Sequence, residues 1–323
     1  MRVMSGASLG VAAMLGLGAA LSVGCSQLGV VTARRDFKAA NQAYQQQDYK
    51  KAAELYEESL KADPTLIKAY FFLGNSYDNQ FKPSRKGEPD NDAFLTKAVE
   101  NYEAGANRLL DSDDPEDQKL GKLSLDYLQA AYNPDKLNDP AKAEEVVLKM
   151  VQLDPAETAN YLALARIYED AGAYPEAEQM LLRAREVKPK DVTVYLQLAA
   201  YYNRQGQFDK TIAALEQRAQ IEPNNPDAFQ TIAAYYWDET RGDSRLTEPQ
   251  KKVYVEKGIE AVDKALQLKT DFVEAITFKG LLLRLQANLE KDPGRQQALL
   301  KEATALSDKA NAIRKQKAAG VSD

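Results

Sequence analysis

The sequence predicts an all-α fold, an α-solenoid of about seven stacked helix-turn-helix repeats, on three observations. The first is a fixed period. Pro155, Pro189 and Pro223 recur every 34 residues, and the same step relates Tyr161, Tyr195 and Phe229; Leu164, Leu198 and Ile232; Ala165, Ala199 and Ala233; and Tyr168, Tyr202 and Tyr236. Concordance at one such period marks an array of small units that bury their apolar faces against one another. The second is helical spacing: Tyr161, Leu164, Ala165 and Tyr168 fall three and four residues apart, on one stripe of a helix. The third is punctuation. Gly172 and Gly206 stand where each unit must turn tightly. The prolines close the unit because proline in a helix interior loses a hydrogen bond and clashes with the preceding turn.

The stretch "YLALARIYEDAGAYPEAEQMLLRAREVKP", residues 161–189, is a near-complete copy and resembles the tetratricopeptide repeat. Ala165 is small enough for the second helix to approach, and Ala177 and Ala184 do the same on that second helix. Degenerate copies extend both ways. The first, over about 33–64, keeps Ala40, Ala52, Tyr56 and Pro64; the second keeps Tyr70, Leu73, Gly74, Tyr77, Ala98 and Tyr102; the third keeps Leu128, Tyr132, Ala143 and Pro155. The gap from Gly74 to Ala98 is 24 residues where the equivalent step from Ala165 to Ala177 is 12, so about 12 residues are inserted. A similar insert, "DETRGDSRLTEPQKK", interrupts the sixth copy before "KGIEAVDKALQL", and "EKDPGR" lies inside the seventh. Each insert is expected to lengthen the front of a second helix, with Thr247 capping the one in the sixth copy. Thr211 stands where an alanine is expected. The resemblance covers about 280 of the 323 residues, giving a signal peptide over 1–24, a short tether over 25–32, the repeats over 33–312 and a frayed tail over 313–323.

The chain starts "MRVMSGASLGVAAMLGLGAALSVGC": one positive charge, a short apolar centre and small residues, the layout of a signal peptide. It resembles a bacterial lipoprotein signal, in which a lipidated cysteine becomes the new N-terminus. Gly24 and Cys25 match, while the leucine sits one place early at Leu21. Ser22 and Gly24 equally satisfy ordinary signal peptidase, which would leave Cys25 without lipid. The only cysteine of the chain falling at the cut favours lipidation, and the multiple acyl chains of such a lipoprotein would anchor it stably to a membrane. Ser26 resembles the outer-membrane sorting residue of Gram-negative lipoproteins.

Composition narrows the function classes. Lys and Arg number 42 against 48 Asp and Glu, an acidic balance that argues against a nucleic-acid partner. There is no histidine, which removes the commonest general base and metal ligand, and one cysteine cannot build a thiolate site. An enzyme would be left with carboxylate, lysine or tyrosine chemistry, and no catalytic, metal or cofactor motif stands out. The acidic run "DSDDPEDQ", residues 111–118, lacks the ligand spacing and central glycine of a calcium loop and reads as a helix-capping turn.

The resemblance implies a right-handed superhelix whose first helices line a concave face, with the residue after the opening aromatic looking inward. Those residues are Phe37, Phe71, Leu162 and Leu196; Tyr44 and Trp237, a turn or two further on, are expected in the same groove. An apolar stripe in a concavity points to a protein or peptide partner. Asn41 and Asn75 fit the asparagine positions of the family's carboxylate clamp, but Phe37, Leu123 and Tyr127 replace its basic residues, so that activity is not expected. The resulting expectation is a lipid-anchored scaffold in the periplasm, engaged in envelope assembly or secretion, without catalytic residues or cofactor. A soluble exported or cytoplasmic adaptor of the same fold is the alternative.

Overall fold

The computed structural model describes residues 16–318 and 320, with side chains from Gly29 onward. The first part of the expected signal, residues 1–15, lies outside the described residues, as does the side chain of Cys25. Two compact units divide the chain, Met1–Pro155 and Ala156–Asp323. The first holds three helix pairs: α1 (Gly16–Gln45) with α2 (Tyr49–Ala62), α3 (Ile67–Asp78) with α4 (Pro89–Leu110), and α5 (Pro115–Ala131) with α6 (Pro140–Leu153). The second holds four: α7 (Thr158–Asp170) with α8 (Tyr174–Val187), α9 (Val192–Arg204) with α10 (Phe208–Ile221), α11 (Pro226–Gly242) with α12 (Glu248–Leu268), and α13 (Val273–Leu289) with α14 (Pro293–Ala318). No strand occurs among the described residues. The fold is the expected all-α array of helix-turn-helix units.

Local chemistry sets the helix ends. The carboxylates of Asp48, Asp139 and Asp191 accept the free backbone N–H groups of Lys51, Lys142 and Thr193, starting α2, α6 and α9. Thr247 and Gln250 form a reciprocal capping box at α12, with Pro249 in the first turn where a missing N–H costs nothing. Gly172 and Gly206 take φ of 75° and 66°, the left-handed conformation their turns require. Gln47 holds the equivalent position in the first pair at φ 61°.

Small residues then let paired helices close. Ala52, Ala98, Ala177 and Ala184 are fully buried, between the ring cores of Tyr56 and Tyr102 in the first unit and the aliphatic cores of Leu164 and Leu198 in the second. At Gly74 a Cβ would lie 2.8 Å from the Tyr102 ring and 3.1 Å from the Ala98 carbonyl oxygen, so α3 meets α4 only as glycine. Thr211, in an alanine position, is fully buried and donates its hydroxyl to the Gln207 carbonyl at 3.1 Å, which removes the cost of burying it.

The inserts lengthen second helices. α4, α12 and α14 run 22, 21 and 26 residues, against 14 in α2, α6, α8 and α10. A 3-10 turn, Pro83–Arg85, precedes α4. Residues 25–32, expected as a tether, lie within α1. The tail expected to fray from 313 instead continues α14 to Ala318, because Ile313 packs beside Val273 and Ile276, Arg314 donates to the Thr277 hydroxyl at 2.9 Å, and Lys317 pairs with Asp271 at 3.7 Å.

Candidate interaction site

The tyrosine that closes each first helix is tied to its neighbours in a recurring way. The Tyr77 hydroxyl donates to Glu57 on α2 while Lys97 of α4 donates back to Tyr77 at 3.1 Å and lies over its ring at 4.7 Å. Tyr132 donates to Glu103 at 2.9 Å, with Lys142 over its ring at 5.5 Å. Tyr202 donates to Glu178 at 2.9 Å, and Lys210 donates to the same carboxylate at 2.9 Å from 4.9 Å above the ring. Each triad joins one helix pair to the next through the tyrosine, so the period-34 tyrosine fixes register as well as filling core. Burial and the carboxylate acceptor raise the pKa of all three phenols.

In the first unit the candidate groove residues belong to a continuous ring network. Phe37 lies 5.7 Å from Tyr56, which stacks on Phe72 at 6.0 Å; Tyr44 meets Phe72 edge-on at 5.5 Å and Tyr49 at 5.6 Å. Phe71 continues the chain to Phe72, Tyr102 and Tyr127 at 5.2, 6.2 and 5.8 Å. A polar seam runs through the network. Tyr56 donates to Asn41 Oδ1 and Tyr44 to Asn75 Oδ1, both at 2.6 Å, and Asn75 Nδ2 donates to the Tyr102 hydroxyl at 3.3 Å. Asn75 therefore spends its amide on tyrosines, leaving no donor for a carboxylate clamp.

Phe37 and Tyr44 are half-buried and present part of their rings to solvent. Phe71 is only 4% exposed: Tyr127 from α5 and Tyr102 from the lengthened α4 enclose it, so it is a core residue of the first unit rather than groove floor. In the second unit Leu162 is half-buried and Leu196 is 37% exposed. Trp237 is half-buried with its indole 5.8 Å from Phe278 and under the Arg241 guanidinium at 4.7 Å. Phe37, Tyr44 and Phe71 thus gather in one unit, and Leu162, Leu196 and Trp237 belong to the other. Phe72 and Arg241, which share these surfaces, carry no signal at the repeat period.

The acidic run around residue 114 is occupied locally. Asp114 accepts the Glu116 N–H at 2.9 Å to start α5, and Lys68 pairs with Asp114 and Asp117 at 3.6 and 3.0 Å. Among the described residues no group of carboxylates is arranged to hold a metal ion, and no helix is long and apolar enough to cross a membrane.

Residues 136–200 match the tetratricopeptide repeat family. Among solved structures, the C-terminal part of a TPR repeat-containing protein from Cytophaga hutchinsonii is similar at a TM-score of 0.54 and 15% identity, over 86% of this chain and 98% of that one. A tetratricopeptide repeat protein from Parabacteroides merdae gives 0.45 at 14% identity over 84% and 99%, and the MamA protein gives 0.43 at 19% over 61% and 93%. The first of these likenesses bears on the fold. A search of curated proteins by sequence finds no match.

Proposed function

This chain is a tetratricopeptide-repeat protein, and we propose that it is a lipid-anchored scaffold of the cell envelope that holds a protein or peptide segment against its first helices. The observation that carries the reading is the state of those helices. Phe37, Tyr44, Leu162, Leu196 and Trp237 stay partly or largely open to solvent although buried core residues flank each of them. Apolar side chains that the fold leaves open at one face are the usual material of an interface. In this family that face is the concave one. The anchor rests on Cys25 following the signal-like run "LSVG", and the periplasmic side of the outer membrane on Ser26. The arrangement supplies binding surface, and the recurrent triads of Tyr77, Tyr132 and Tyr202 are engaged in structure.

One experiment in two arms tests this. Cys25→Ser should move the protein from the membrane fraction to the soluble fraction and abolish fatty-acid labelling; a wild type that takes up no lipid refutes the anchor. In the second arm, partner capture from the native envelope is compared between wild type and the Leu196→Ala, Trp237→Ala double variant. Interface anchors contribute about 2 kcal/mol or more each, so capture should weaken at least about thirtyfold while helicity is kept. Unchanged capture by a folded double variant refutes the groove.

A further inference from the structure

The sixth helix pair departs from the tyrosine triad, and the departure opens a cavity. Where Tyr77, Tyr132 and Tyr202 each meet a glutamate and a lysine, Tyr236 meets two other rings: Phe208 at 5.5 Å and Tyr254 at 5.6 Å, themselves 4.9 Å apart. Tyr254 comes from the insert that lengthens α12. Beside this trio lies a cavity of about 260 Å³ lined by Asn203, Phe208, Glu239 and Asp243 and by the backbone of Gly206 and Gly242, with Arg245 at its rim.

The charges here are unevenly matched. Asp243 is satisfied: Arg245 grips both its oxygens at 2.9 Å and donates its backbone N–H at 2.8 Å, and Lys251 adds to the attraction. The Arg245 side chain is itself 85% exposed, directed out of the cavity. Glu239 is half-buried with neither a hydrogen bond nor an ion pair among the described residues. Its pKa is raised, first by burial and then by Asp243, with Asp238 and Asp209 adding to the effect and Arg245 opposing it. The Tyr254 hydroxyl is raised by burial and then by Asp209, Glu239 and Asp243, which places it within the same negative field. A half-buried carboxylate with no counter-charge is costly to keep ionised. The face of an aromatic ring beside it attracts cations through its quadrupole.

We propose that this cavity is a binding site for an alkylammonium group, the end of a lysine side chain, held between the Glu239 carboxylate and the Phe208 ring. The ammonium supplies the missing counter-charge and donates to Glu239 and to the Asn203 carbonyl oxygen, while the four-carbon stem lies along the rings. A divalent cation fits less well, because it needs several converging oxygens and Arg245 already holds both oxygens of Asp243. The site goes beyond the groove reading, since none of its lining residues is among the six groove candidates, and its test is independent of partner capture.

The test uses the full chain labelled with 15N-glycine and two probes, Nα-acetyl-lysine methylamide and its uncharged counterpart Nα-acetyl-norleucine methylamide. Gly206 and Gly242 line the cavity and report on it. Each follows a residue that precedes no other glycine in the chain, Gln205 and Arg241, so paired carbonyl and amide labelling assigns both signals. The lysine probe should shift both glycines saturably, and the norleucine probe should bind at least tenfold more weakly. Glu239→Gln should lose the preference for the charged probe with the melting temperature unchanged, because that carboxylate supports no structural contact. Equal response to the two probes in the wild type overturns the proposal, as does undiminished lysine-probe binding by Glu239→Gln. Loss of this response with partner capture intact, or the converse, tells failure of this site from failure of the groove.

Discussion

Removing one hydroxyl tests whether the tyrosine triads hold successive helix pairs in register. Tyr202 is nearly buried and donates to Glu178 at 2.9 Å, and Lys210 reaches the same carboxylate at 2.9 Å. Tyr202→Phe keeps the ring and its packing and deletes only the bond. Hydrogen bonds to charged groups contribute about 1.5–3 kcal/mol. Glu178 is 26% exposed and keeps Lys210, so the carboxylate is not orphaned and the loss belongs at the lower end, about 1.5 kcal/mol. Urea unfolding of the single variants, Glu178→Gln and the double variant closes a thermodynamic cycle, in which coupled neighbours depart from additivity by at least about 0.5 kcal/mol. Acid should shrink the coupling. The Lys210 and Tyr202 bonds hold the Glu178 carboxyl below its ordinary range, so its contribution is present above the unfolded value near pH 4.3 and lost as pH falls through the folded one. Additive single variants at neutral pH, or a Tyr202→Phe cost below about 0.5 kcal/mol, would refute a register role and leave the tyrosine as simple core.

Two further outcomes follow from the packing. Tyr44, Tyr56, Tyr77, Tyr102, Tyr132, Tyr201, Tyr202, Tyr236 and Tyr254 all have raised pKa values chiefly through burial, with Tyr236 pushed up to about 12. A raised phenol stabilises the fold below the unfolded value near pH 10 and ceases to do so as pH climbs toward the folded one. These nine of the 17 tyrosines should therefore ionise together with the loss of helicity, as read by phenolate absorbance and circular dichroism on one alkaline titration; ionisation with full helicity retained would contradict their burial. At Gly74, alanine would ordinarily favour a helix by about 1 kcal/mol. Here the new Cβ meets the Tyr102 ring at 2.8 Å and a backbone oxygen at 3.1 Å, so Gly74→Ala should instead cost about 1–3 kcal/mol in urea unfolding, and a stabilised variant would mean that α3 and α4 can part freely.

What the sequence revealed and what it hid divide along a physical line. Pro155, Pro189 and Pro223, the turn glycines and the stripe of Tyr161, Leu164 and Ala165 are local features, each acting within one turn or one helix pair, so their period survives in the chain. Phe71 shares the register of Leu196, yet one is enclosed and the other open, because the insert ahead of α4 and the rings of Tyr102 and Tyr127 decide what covers a first-helix side chain. Register alone names the direction of a side chain and says nothing of its cover. The triads were hidden for a related reason. Their glutamate and tyrosine lie 20, 29 and 24 residues apart, since turns and inserts of different length intervene, and no fixed spacing announces them. Only the tyrosine, anchored to the repeat, recurs on schedule. The sixth pair shows the consequence. Tyr236 keeps its place in the period, but the insert brings Tyr254 where a lysine and glutamate would otherwise meet the ring, and Glu239 is left beside an open cavity without a cation. A repeat position kept while its partners change is thus where a structural array gains room for a ligand, and in this chain that position is Tyr236.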